Sequence, residues 1–216
     1  MVTRRKLLVG ASVFAMVVAI GGVEALYGVP HASAQSASEL LVPPALGDRV
    51  LGKDDAPVTI VEYASMTCPH CAHFHETTYP ELKKKYIDTG KVRFIFREFP
   101  LDPIAAGASM LARCADKDKF YPLIETLFQQ QRQWAVEKPI PKLLALAKQA
   151  GMSEQTFNTC LSDQKMLDAM QAEQKRATDK FGVNSTPTIF VNGKKVVGGV
   201  AIEDLAKLID PLLTKS

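Results

Sequence analysis

Cys68-Pro69-His70-Cys71 follows a strand-like run, Val58-Thr59-Ile60-Val61-Glu62-Tyr63-Ala64, and opens what reads as a helix. The upstream run is dense in β-branched and aromatic residues, which suit a pleated surface, and Phe74 to Tyr86 carries enough helix formers to continue a helix. The two cysteines are therefore placed at a strand-to-helix turn. Cys68 falls near the N-cap, where unpaired backbone N–H groups and the positive end of the helix dipole favour a thiolate over a thiol. Cys71, one turn further in, is expected to be less exposed and to act as the resolving partner. Thiols at this spacing can close and open a disulfide reversibly, which makes the segment a candidate redox device.

Working outward, Thr89-Gly90 ends the helix and Val92-Arg93-Phe94-Ile95-Phe96-Arg97-Glu98-Phe99 reads as a second strand, giving a β-α-β unit with a parallel pair. Arg49-Val50-Leu51 suits a short edge strand, and Asp54-Asp55-Ala56-Pro57 a turn. From Pro103 to about Phe181 the character changes to Ala, Leu, Gln and Lys at helical spacing. Helices are expected over about 104–115, 118–133, 140–150, 153–161 and 163–181, with Gly151 ending the third and Ser153 capping the fourth. Thr188-Ile189-Phe190-Val191 and Lys195-Val196-Val197 then flank Asn192-Gly193, a strong hairpin signal, before a last helix from about Ile202 to Leu213.

The 216 residues, 47% hydrophobic and 23% charged, have ordinary globular composition and suffice for one good core. Residues 1–34 read as an export signal: Thr3-Arg4-Arg5-Lys6 is basic, Leu7 to Ile20 apolar, and Ala32-Ser33-Ala34 a small-residue cleavage site. Arg4-Arg5 before Leu7-Leu8 resembles a twin-arginine signal; an ordinary secretory peptide and an uncleaved anchor are the alternatives. Removing the segment takes the formal charge from +3 to +1, and Lys83-Lys84-Lys85 suits a solvated helix face, so nothing points to nucleic acid. Residues 35–47, with Pro43-Pro44, read as an extended leader.

Four cysteines in an exported chain permit three pairings. If Cys68 and Cys71 form the redox pair, Cys114 and Cys160 remain for each other; such a bridge closes a loop of about 47 residues and stabilises by roughly 4 kcal/mol on the chain-entropy model. Two buried free thiols are the alternative, and mass measurement under non-reducing conditions separates the two. His70, His73 and His75 crowd the same site, yet 73 and 75 point to different faces of a helix, so no metal is expected, and both are read as solvated. Trp134 and Phe74, Phe94, Phe96 and Phe99 are expected in the core.

A β-α-β unit with CxxC at its first helix, an all-helical insertion, then Thr186-Pro187-Thr188 leading into a hairpin and final helix resembles the thioredoxin fold, and specifically the DsbA family of exported thiol oxidases. The resemblance covers about residues 48–216. It implies an α/β fold in two parts, 48–100 and 183–216, interrupted by a helical subdomain over 101–182. It also implies a cis proline at Pro187 facing the cysteines, with Thr186 presenting backbone to an extended substrate, and a buried acid at Glu62, six residues before Cys68. Glu62 beneath the pair would relay the proton that Cys71 gains or loses; a solvent-facing strand residue is its alternative. Thr186 departs from the valine of the best-known oxidases and matches exported disulfide isomerases, whose N-terminal dimerisation module residues 35–57 are too few to form.

What the resemblance implies is a periplasmic, monomeric thiol:disulfide oxidoreductase without cofactor, oxidising reduced exported proteins and reoxidised by a quinone-linked, DsbB-like membrane partner. An isomerase or reductase of the same fold, and a non-catalytic peptide-binding holdase, are the alternatives. A disulfide donor must stabilise its own reduced state, and His70, between the cysteines, is expected to assist with a hydrogen bond or positive charge, bringing Cys68 below a pKa of about 6.

Overall fold

The computed structural model describes residues 38–214. The proposed export signal lies outside them, as does the start of the leader. A five-stranded sheet forms the centre, in the order β1-β3-β2-β4-β5. The strands are β1 (Arg49–Leu51), β2 (Val58–Ala64), β3 (Val92–Glu98), β4 (Thr188–Val191) and β5 (Lys194–Val197). β2 and β3 run parallel, with Glu62 opposite Phe96, and the other pairs are antiparallel.

The near-continuous apolar character of β2 follows from its central place, with helices covering both faces. Ile60 and Ala64 pack with the CxxC helix, whereas Val61 and Tyr63 pack with Ala177, Phe181 and Phe190 on the other face. Glu62 has the parity of Ile60 and Ala64, so the period-2 alternation of the strand aims it at the cysteines. The β4–β5 hairpin turns on Asn192 and Gly193, with φ of 43° and 84°, conformations that Asn and Gly adopt at least cost. Asn192 Oδ1 also accepts from the Thr59 N–H at 2.7 Å, tying the turn to β2.

Helix α1 (Pro69–Thr77) carries the cysteines, and α2 (Tyr79–Leu82) continues it after a break at Thr78-Tyr79-Pro80. Proline cannot extend the hydrogen-bond ladder, and the Thr78 hydroxyl donates instead to the Val200 carbonyl at 2.8 Å. A π-helical turn, Lys83–Ile87, follows, with Lys83 half-buried and Lys84 and Lys85 exposed. Between β3 and β4 lie α3 (Pro103–Cys114), α4 (Phe120–Gln129), α5 (Gln131–Trp134), α6 (Ile140–Gln149), α7 (Glu154–Leu161) and α8 (Gln164–Phe181). Helix α9 (Ile202–Leu213) closes the fold. A disulfide joins Cys114 to Cys160, between α3 and α7. Among the described residues no helix is long and apolar enough to cross a membrane.

Two expectations change. The helix read over 118–133 is interrupted at Gln130, so that α5 is a separate turn. Gln131 and Trp134 of that turn are buried, and the Trp134 indole donates to the Leu127 carbonyl. The leader, read as extended, has helical backbone at 38–40 with Leu40 buried against the sheet. It is anchored by two buried ion pairs: Arg97 holds Asp48 at 2.9 Å, and Arg113, paired with Glu98 at 2.6 Å, donates to the carbonyls of Leu46 and Gly47.

Asp102 couples the helical subdomain to the redox turn. One carboxylate oxygen caps α3 by accepting from the Ala105 N–H at 2.8 Å; the other accepts from the Thr67 hydroxyl, next to Cys68. Asp102→Ala is expected to cost about 1–2 kcal/mol, the usual loss for an N-cap, measurable as a lower urea midpoint at unchanged m-value.

Candidate redox site

Cys68 is the N-cap of α1, with extended backbone (φ −75°, ψ 120°) and no side-chain cap of its own. Its N–H donates to the Ser65 carbonyl at 3.1 Å, and its carbonyl accepts the first helical bond, from the Ala72 N–H at 3.1 Å. The second lone pair of that carbonyl takes a hydrogen from Gln131 Nε2 at 3.0 Å. The other hydrogen of the same amide goes to the Met66 carbonyl at 2.8 Å. The helical insertion therefore clamps the turn on both sides of Thr67. Pro69 and His70 are exposed, Cys68 retains 6% of its surface, and Cys71 is fully buried.

Opposite the sulfur, the Thr186–Pro187 peptide bond is cis. Thr188 begins β4 opposite Tyr63, which places Thr186 and Pro187 beyond the end of that pairing and against the cysteines. The two cysteines are present as thiols, and Cys68 Sγ donates to the Thr186 carbonyl at 3.3 Å. The Thr186 hydroxyl is buried and has no partner in this state. When Cys68 ionises, that hydroxyl is the free donor beside it.

The Cys68 thiol is lowered to about 5. The hydrogen bond from the Cys71 thiol is the largest cause; burial opposes it, and the Thr186 hydroxyl and the N–H groups of Cys71 and His70 assist. Cys71 moves the other way, pushed far up by burial, by its bond to Cys68 and by the charge of Glu62. One sulfur is thus built to be anionic and the other to keep its proton. The N–H of His70 is one of these donors, and its side chain is exposed beside the pair.

Glu62 is completely buried, and its Oε2 lies 2.9 Å from His75 Nε2. His75, read as solvated, is 3% exposed; His73 is exposed. The correction has a simple geometric cause. Positions 73 and 75 do face different ways, and 75 is four residues after Cys71, so the two share the buried face of α1. That spacing was available as a signal. Gln131 carried none, because it lies more than 60 residues from the carbonyls it holds. Asp102 did carry one, since Asp before Pro at a helix start is an N-cap pattern.

A sequence profile described as thioredoxin matches residues 45–211, and the chain belongs to that family. Its fold is the DsbA-like variant: the crystal structure of Wolbachia pipientis alpha-DsbA1 superposes with a TM-score of 0.78 at 32% identity, covering 83% of this chain and 96% of that one. Oxidised BdbD from Bacillus subtilis gives 0.69 at 30% identity, covering 80% and 96%. By sequence, disulfide bond formation protein D of Bacillus subtilis is 32% identical over 170 residues, 76% of each chain. A Rickettsia bellii protein named for the protein-disulfide oxidoreductases is 36% identical over 171 residues, which are 78% of this chain and 66% of the relative. The chain thus spans slightly less than two thirds of that relative's length.

Proposed function

We propose that the protein is an exported thiol:disulfide oxidoreductase that donates the Cys68–Cys71 disulfide to reduced exported polypeptides. The observation that carries this reading is the opposed pair of sulfurs, Cys68 lowered to about 5 at the mouth of the site and Cys71 buried and pushed up behind it. A client thiolate attacks Cys68 Sγ of the disulfide, the S–S bond breaks, and Cys71 leaves and takes a proton. The client's second thiolate then attacks the client sulfur of the mixed disulfide and expels Cys68 as a stable thiolate. Two electrons enter the enzyme and the client gains a disulfide. The cis Pro187 leaves Thr186 facing this exchange, where an extended client segment pairs with its backbone as an added strand. No cofactor takes part; a quinone-linked membrane partner of the DsbB type removes the two electrons, and the protein works as a monomer in the periplasm.

The magnitude sets the expected potential. Thioredoxin, with a nucleophile near 7, sits at about −270 mV; bringing the sulfur to about 5 favours the reduced form by two decades, each about 30 mV for a two-electron couple. Equilibration with glutathione at pH 7 is therefore expected to give about −210 mV. A value at or below thioredoxin's removes the basis for a disulfide donor. The Thr186 hydroxyl beside Cys68 favours a second reading, disulfide isomerisation; refolding of scrambled ribonuclease by the reduced protein, faster than by an equal concentration of glutathione, would select it.

A further inference from the structure

Across β2 from Thr186-Pro187, the helical subdomain meets the end of β3 in a groove of about 580 Å³, a size typical of sites that enclose small organic groups. Its walls are Leu101 after β3, Met110 of α3, Ile140 at the start of α6, Leu161 of α7 and Leu167 of α8. Asp102 is its one charged lining residue among the described residues, and both carboxylate oxygens are already engaged, by Ala105 and Thr67. Gln174 Nε2 donates to the Pro100 carbonyl at 2.8 Å, which holds α8 to the opposite wall. Two features of these walls work against stability. Leu101 and Ile140 are 54% and 50% exposed, and the loop carrying Leu101 is stiffened by Pro100 and Pro103 on either side of it. Glycine inside a helix is the costliest residue short of proline, and at Gly107 of α3 neither the backbone nor the space calls for it. A Cβ there would meet Leu161 Cδ2 at 3.5 Å, an ordinary contact. What the missing side chain does provide is depth in the groove. Exposed apolar side chains around a preformed, nearly uncharged groove mark a binding surface.

The occupant follows from the groove's place. The Leu101 N–H donates to Ser65 Oγ at 3.2 Å, the Ser65 carbonyl accepts from the Cys68 N–H, and Asp102 accepts from the Thr67 hydroxyl. The groove wall is thus hydrogen-bonded to the redox turn, on which any client of a protein thiol:disulfide oxidoreductase must sit. A client whose cysteines are still reduced has not closed its core, so it presents apolar side chains that the folded product withdraws from water. Resting on the function proposed above, we infer that the groove takes apolar side chains of the reduced client, on the far side of Cys68 from the Thr186 backbone. The client is then held at two places about its mixed disulfide, by strand pairing at Thr186 and by apolar burial in the groove. Folding of the oxidised product removes the second hold, so the same contact that recruits reduced chains lets finished ones go.

The test compares oxidation of two dithiol peptides by the oxidised full chain. The peptides match in length and charge; one carries leucine and phenylalanine outside its cysteines, the other serine and asparagine. The unaltered protein is expected to prefer the apolar peptide by about ten-fold or more in kcat/KM, a gain within reach of two well-buried side chains. Gly107→Leu fills the groove and Ile140→Lys puts a charge on its rim. Both are expected to cut the preference below about three-fold, while the Cys68 midpoint measured by thiolate absorbance stays that of the unaltered protein. Because Ile140 is half exposed, its variant decides the matter if Gly107→Leu does not fold. A preference that survives in the folded variants, or equal oxidation of both peptides by the unaltered protein, overturns the inference. Dimerisation of the unaltered chain that is lost in Ile140→Lys would assign the groove to a second copy and overturn it too. If the unaltered protein oxidises neither peptide, it is the oxidoreductase reading that falls.

Discussion

Cys68→Ser should reduce oxidation of a dithiol client to the uncatalysed background without disturbing the packing of the fold. The loss is chemical. A serine hydroxyl forms no disulfide and is no leaving group at neutral pH, and Cys71, fully buried and pushed up, cannot take its place. The helix cap itself gains, because Cys68 occupies an N-cap that lacks a side-chain cap and serine is among the best residues there. Relative to the reduced protein, the variant should therefore be unchanged or more stable by about 0.5–1 kcal/mol in urea denaturation below about pH 5, where the Cys68 thiolate adds nothing, and should fall behind it as pH rises and the thiolate forms. The combination separates oxidoreductase from holdase. A variant that is folded and still protects a client as well as its parent would mean that the sulfur is incidental and that the helical subdomain is the working part.

The contrast between what the sequence disclosed and what it hid follows from the range of the interactions. β2, α1 and the Asn192-Gly193 hairpin are written in local patterns: a β-branched run, a proline and cysteines at a helix start, a turn that needs positive φ. Glu62 was legible through strand parity once Cys68 was placed beyond the strand's end. The break at Gln130 was not, because no glycine or proline marks it; Gln131 and Trp134 turn inward to meet Met66, Cys68 and Leu127, and tertiary hydrogen bonds override helix propensity there. The place of His70 between the cysteines suggests a side-chain role; its side chain is exposed, and the further part played by its N–H toward the Cys68 sulfur is one the sequence does not display. A residue's chemistry at a helix N-terminus is often the backbone's, and side-chain identity does not disclose it.

The reduced protein should gain stability over the oxidised protein as pH rises from about 5 to about 9. A thiol whose proton is bound more weakly in the folded chain, about 5 against an ordinary 9.0, stabilises the fold fully above the ordinary value and loses that contribution as pH falls through the folded one. Unscreened, the whole effect is roughly 5 kcal/mol; Cys68 lies at the mouth of the site, where water screens it, so about 3 kcal/mol is the expected span. Cys71 has the opposite sign. Its proton is held more tightly when folded, so its contribution is complete below the ordinary thiol range and is lost as pH rises beyond it. The stability difference between reduced and oxidised forms should accordingly peak near pH 9 and decline on either side. The disulfide's own constraint on the unfolded chain is independent of pH and shifts the curve without bending it. Urea denaturation of both forms at five or six pH values measures the curve. The same proton count requires the potential to fall by about 30 mV per pH unit over this window, half the slope of a couple taking up two protons with its two electrons. Parallel stability curves for the two forms, or a potential falling by the full two-proton slope at neutral pH, would mean that Cys68 is an ordinary thiol, and the drive for disulfide donation would have to come from strain in the oxidised form instead.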